Sequence, residues 1–133
     1  AATDGHTARG DTGEKGMGKM HNQLMGVSCI DNPEIAATAS PIKFVNRNFP
    51  PAYFLQGVQD HIIPYTQSVA MVRMVNETCG EDHARLKLFP NADHGAEEMK
   101  TDEEINLILD FIDQHIWPGK HERTPLPKEI AVL

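Results

Sequence analysis

Pro50-Pro51-Ala52-Tyr53-Phe54-Leu55-Gln56-Gly57 is the stretch on which the fold turns. Ala52 to Leu55 is a continuous apolar run between a proline pair and a glycine, the pattern of a strand buried on both faces, as in a parallel sheet. Working outward, Pro64 stands at a first helical position. Ser68, Met71, Val72, Val75 and Cys79 then recur with helical spacing until Gly80 stops the helix. Ala84-Arg85-Leu86-Lys87-Leu88-Phe89 alternates small or apolar residues with basic ones, which predicts a second strand with one face partly wet. Thr101 and Glu104 have capping-box spacing and open a further helix, whose predicted buried stripe is Ile105, Ile108, Leu109, Ile112 and Ile116. Trp117-Pro118-Gly119 ends it. Strand, helix, strand, helix, with a crossover of roughly 15 residues, is α/β logic and implies a parallel strand pair. Two strands make an incomplete sheet.

Upstream the signals are weaker. Met20 to Gly26 predicts a short helix, and Pro33 to Ala39 another, with Asp31 or Asn32 able to cap it and Ser40-Pro41 to break it. Six of the 10 glycines fall within residues 1–26, and all eight aromatics lie between Phe44 and Trp117. Residues 1–19 therefore read as a flexible polar segment, residues 20–117 as the part that builds a core, and residues 118–133 as a surface tail.

Bulk properties exclude several functions. Among the 133 residues, 12 Lys plus Arg stand against 19 Asp plus Glu, a formal net charge of −7. A nucleic-acid or anionic-membrane surface needs the opposite balance. No apolar run approaches the ~18 residues of a membrane span. Cys29 and Cys79 make neither a disulfide scaffold nor a zinc site by themselves. The histidines and cysteines show no ligand spacing, and the acidic residues from Asp93 to Glu104 lack the Asp-x-Asp-x-Asp-Gly pattern of a calcium loop. Asp102, Glu103 and Glu104 sit at a helix start, where the macrodipole already favours them.

The chemistry concentrates in two turns that follow the predicted strands, Gln56 to Tyr65 and Pro90 to Gly95. Parallel neighbours bring both turns to one rim of the sheet, where open α/β sheets bind ligands. Asp60 on one turn and His94 on the other can then meet across 34 residues of chain. A carboxylate that accepts from an imidazole fixes its tautomer and stabilises the imidazolium during proton transfer. On residue type alone, Asp60 is equally an N-cap or turn residue, and His94 a solvated loop histidine. His61, beside Asp60, reads as a solvated neighbour.

With these residues in view, the stretch from about Leu24 to Ile116 resembles the C-terminal part of an α/β-hydrolase of the esterase and lipase type. Ser40-Pro41-Ile42-Lys43-Phe44-Val45 is similar to the segment that leads into the strand before the catalytic acid. Pro50 to Gly57 resembles that strand, Asp60 with Ile63-Pro64-Tyr65 the acid loop, and Asp93-His94-Gly95 the histidine turn. Gln56 departs from the histidine common before the glycine, and Asp93 from the small residue usual before the histidine.

The resemblance implies a serine hydrolase acting on a small carboxylic ester, with Asp60 as orienting acid, His94 as general base, and no metal or organic cofactor. Acid before histidine is the family order. The family's nucleophile lies upstream in G-x-S-x-G. Of Ser28, Ser40 and Ser68, only Gly26-Val27-Ser28-Cys29-Ile30 comes near it, with Ile30 in place of the second glycine. Neither the strand before nor the helix after such an elbow is predicted there, so the nucleophile is expected outside these 133 residues. The expected partner is accordingly the missing N-terminal part of the domain, or a second copy through self-association. A catalytically inactive binding fragment and a peptidase of the prolyl oligopeptidase kind are the alternative readings.

Overall fold

The computed structural model describes residues 16–115. Of residues 1–19, the segment expected to be flexible, 1–15 lie outside the described residues, as do the helix stop at Trp117-Pro118-Gly119, Ile116 and the tail over residues 118–133. The elements are α1 (Gly16–Met25), α2 (Pro33–Ala37), a 3-10 turn at Pro41–Phe44, β1 (Ala52–Gly57), α3 (Tyr65–Cys79), β2 (Ala84–Phe89), a 3-10 turn at Glu97–Lys100 and α4 (Asp102–His115). The helix predicted from Met20 starts four residues earlier, at Gly16. That predicted to reach Ala39 ends at Ala37. Asn32 stands at its N-cap but makes no side-chain cap; its amide donates instead to the Ser28 carbonyl at 2.9 Å.

β1 and β2 pair in parallel, Ala52 opposite Ala84 through Gly57 opposite Phe89. The pairing is anchored at its start by Asn76 of α3, whose amide donates to the Ala84 carbonyl (2.9 Å) and whose carbonyl accepts from the Ala84 N–H (2.7 Å). Side chains alternate across a strand, so each face of this pair meets a different helix. Ala52, Phe54 and Ala84 face α3 and pack with Met71 and Val75. Val75 is fully buried, and burying a side chain of this kind contributes about 1.5–3 kcal/mol.

On the opposite face Tyr53 stacks on Phe111 of α4 at 5.5 Å, Arg85 lies over the same ring at 5.5 Å, and Lys87 pairs with the buried Glu104. The hydrogen bond to Glu104 raises the Lys87 pKa above its ordinary value. Arg85 and Lys87 are half-buried on this face, but Leu86 on the other face is half-buried too and Leu88 is exposed, so the wet side of β2 is not confined to the basic residues that the alternation picks out.

Two expectations are corrected. The residues Ala52 to Leu55 of β1 are half-buried, and only Gln56 and Gly57 are buried. The sheet has two strands among the described residues, so β1 has cover on one edge only. On α4 Ile105, Ile108 and Leu109 of the predicted stripe are half-buried and Ile112 is exposed, whereas the buried residues are Glu104 and Phe111. The helix faces a row of aromatic and cationic side chains, Tyr53, Arg85 and Lys87. An aromatic ring and a carboxylate meet that row better than a line of isoleucines.

Candidate functional site

The parallel register ends β1 at Gly57 and β2 at Phe89, side by side. The turns that follow are stitched together at once. The Val58 N–H donates to the Phe89 carbonyl at 2.9 Å and the Gln59 N–H to the Ala92 carbonyl at 3.0 Å. This approach requires Gly57, because a Cβ there would lie 2.3 Å from the Ala92 oxygen. Gly95, directly after His94, takes φ +61°, a conformation that L side chains rarely adopt, and so turns the chain away from the rim.

The two turns bring Asp60 and His94 together, with His94 Nδ1 2.8 Å from Asp60 Oδ2. An ionised carboxylate only accepts, so Nδ1 carries the proton and the neutral ring keeps its lone pair on Nε2. The Asp60 side chain is 3% exposed and the His94 ring 50% exposed. A buried carboxylate thus orients a ring that opens to solvent.

The remaining Asp60 contacts account for its charge. Oδ1 accepts the backbone N–H groups of Ile62 and Ile63, each at 2.8 Å, and Oδ2 also accepts the Gln56 side-chain amide at 2.7 Å. Burial on its own pushes the Asp60 pKa up. The Ile63 N–H, the His94 ring, the Ile62 N–H and the Gln56 amide together outweigh it and hold the carboxyl below its ordinary value. Gln56 is oriented in turn, since its Oε1 accepts from the Ser68 hydroxyl at 3.0 Å.

A second pair lies beside the first and crosses it. His61 Nδ1 is 2.7 Å from both carboxylate oxygens of Asp93. Asp93 Oδ1 also accepts the backbone N–H of His94 (2.6 Å) and that of His61 (3.2 Å). The dipeptides Asp60-His61 and Asp93-His94 are therefore joined crosswise, each aspartate to the other turn's histidine. The His61 N–H, His94 N–H and His61 ring that bind Asp93 are all donors, and they hold its pKa below the ordinary carboxylate range, the His94 N–H most strongly.

Sequence reasoning did not anticipate the roles of Gln56, Ser68 or the His61–Asp93 pair. A signal for the pair is the Asp-His dipeptide, which stands once on each turn, although it also occurs at Asp82-His83 ahead of β2. His61 was expected to be solvated and is 71% exposed, yet its ring is bonded to Asp93.

The three serines stand elsewhere in the fold. Ser28 lies in the turn between α1 and α2, where its hydroxyl accepts from the Asp31 N–H at 3.5 Å. Ser40 is buried ahead of the 3-10 turn, and Ser68 is buried on α3. None occupies a strand-to-helix turn. Among the described residues no cluster of three or more His, Cys, Asp or Glu side chains is arranged to hold a metal ion, and no helix is long and apolar enough to cross a membrane.

Comparison with known proteins places this geometry in context. The BD-FAE family model matches residues 2–75, a stretch that contains Asp60 and ends before His94. Esterase LipQ of Mycobacterium tuberculosis (strain ATCC 25618 / H37Rv) is 34% identical over 72 residues, which are 54% of this chain and 17% of that protein. Esterase LipC of the same organism is 31% identical over 86 residues, 62% of this chain and 21% of that protein. The chain spans 17% to 21% of the length of these curated relatives.

Proposed function

Since the chain belongs to the BD-FAE family, an α/β-hydrolase-like esterase family, we propose that it carries the acid and base of a carboxylic-ester hydrolase. Asp60 is the orienting acid and His94 the general base, at the rim of what becomes a larger parallel sheet in the complete domain. The nucleophile is a serine outside residues 1–133, in the G-x-S-x-G elbow that such enzymes use. The observation that carries this reading is the 2.8 Å bond between a buried, multiply bonded carboxylate and a half-exposed imidazole.

The chemistry follows from the tautomer. With Nδ1–H held by Asp60, His94 Nε2 takes the proton of the serine hydroxyl as the oxygen attacks the ester carbonyl. The imidazolium, stabilised by the Asp60 charge, then protonates the departing alcohol and leaves an acyl-serine. Water, deprotonated by the same Nε2, releases the acid and restores the serine. The substrate is a small carboxylic ester, and the cycle uses no cofactor.

The test is fluorophosphonate labelling of the native polypeptide that carries this sequence, followed by peptide mapping. Labelling is expected at a serine of a G-x-S-x-G motif and at none of Ser28, Ser40 or Ser68. Substituting His94→Ala should abolish it. Stoichiometric modification of Ser28 overturns the nucleophile assignment, and absence of labelling at any serine overturns the hydrolase reading.

A further inference from the structure

We propose that Asp93 is a positioning residue that clamps the acid turn to the base turn and so sets the Asp60–His94 geometry, an inference that rests on the roles just assigned to those two residues. Its carboxylate gathers three different N–H groups. One is the backbone N–H of His94 itself, at 2.6 Å. The other two, the backbone N–H and ring Nδ1 of His61 at 3.2 and 2.7 Å, belong to the residue bonded to Asp60. One side chain thereby fixes the main chain at both ends of the Asp60–His94 bond.

Among the described residues the other hydrogen bonds between the two turns, apart from the Asp60–His94 bond itself, lie nearer the strand ends, and one of them is donated by Gln59 Nε2 to the Pro90 carbonyl at 3.4 Å. The neighbouring backbone bonds join Val58 to Phe89 and Gln59 to Ala92, nearer the strand ends. Beyond them Asp60 is held by its own turn and by Gln56, whereas His94 depends on a loop that ends in a positive-φ glycine. The inner bond needs a ring held to within a fraction of an ångström, and displacement on the order of 1 Å costs about a hundredfold in rate. The held pose is the product of the outer pair, whose own side chains are 54% and 71% exposed.

The test compares Asp93→Ala, Asp93→Asn and His61→Ala in the native polypeptide. Each is assayed by ester hydrolysis with kcat and KM separated, and by the proton NMR resonance of the His94 Nδ1–H. Asp93→Ala is expected to lower kcat about 10- to 100-fold with KM nearly constant, and to broaden that resonance by faster exchange. Asp93→Asn should recover most of both, because its carbonyl still accepts the two backbone N–H groups. His61→Ala should cost about threefold, because its backbone N–H remains.

Wild-type kcat and a sharp resonance in Asp93→Ala overturn the clamp. So does an Asp93→Asn variant as impaired as Asp93→Ala, since the carboxylate's charge would then matter rather than its grip. If Asp93→Ala loses its cooperative melt, His61→Ala decides, and wild-type behaviour there overturns the proposal. If the wild type neither hydrolyses esters nor labels with fluorophosphonate, the hydrolase reading has failed, and the resonance alone decides the clamp: broadened supports it, sharp overturns it.

Discussion

The rim carries two Asp–His pairs made of the same residue types, and they live in different surroundings. In the inner pair the Asp60 side chain is 3% exposed and accepts from two backbone N–H groups, an amide and the His94 ring. In the outer pair both side chains stand in water, and the carboxylate is bound mainly through the main chain around it. A charge out of water keeps its full effect on a neighbouring imidazolium, while a charge in water is screened. Residue type and spacing bring both pairs together. On the roles proposed above, burial separates the pair that stabilises charge in a reaction from the pair that holds the chain in place.

Removing the inner carboxylate is the sharpest way to break this comparison. Asp60→Asn is expected to lower kcat for p-nitrophenyl acetate by about four orders of magnitude in the native polypeptide, as loss of the orienting carboxylate does in a serine triad. The matched change Asp93→Asn should leave most of the activity. Equal losses in the two variants would mean that burial does not separate the roles.

Much of this was legible in the sequence. The apolar run of β1, the 3.6-residue period of α3 and the alternation of β2 each follow from a local repeat, and the parallel pairing follows from their order. Once two parallel strands end together, Asp60 and His94 have to share a rim. What the sequence does not reveal depends on side-chain direction. Phe111 rather than Ile112 faces the sheet because Tyr53, Arg85 and Lys87 supply an aromatic and cationic surface. Gln56 reads only as a departure from the histidine common before the glycine until Ser68, 12 residues on, and Asp60 are seen on either side of its amide. The crossed pairing of the Asp-His dipeptides depends on how closely the turns approach, which Gly57 permits and no periodicity encodes.

That approach supplies the next test, because both pairs straddle it. In Gly57→Ala the new Cβ meets backbone oxygen, 2.3 Å from Ala92 and 2.8 Å from Asp93, where no flexible side chain can yield. The two turns must separate, and the cost should be about 1–3 kcal/mol, as for overpacking of a filled site. A urea melt measures it, and the His94 Nδ1–H resonance should broaden in the same variant. An unchanged melt would show that the turns can part without loss, and that the close stitching of the rim does not hold either pair.

The smallest effect separates the pairs by salt. Both carboxyls have folded pKa values below the ordinary 3.8, so each contributes stability that is present above the unfolded value and is lost as pH falls through the folded one. Removing either charge should therefore flatten the acid limb of a stability curve, read as the urea midpoint from about pH 6 down to about pH 2.5. The two should differ once salt is added. Asp60 is buried among fixed donors, and its share should persist. Asp93 is exposed, and its share should shrink as the screening length falls from about 10 Å at 0.1 M salt to about 3 Å at 1 M. The difference between wild type and Asp93→Asn is thus expected to narrow with salt while that between wild type and Asp60→Asn holds. If both differences narrow together, solvent reaches Asp60 as freely as it reaches Asp93, and the low-dielectric setting on which the inner pair's role depends is absent.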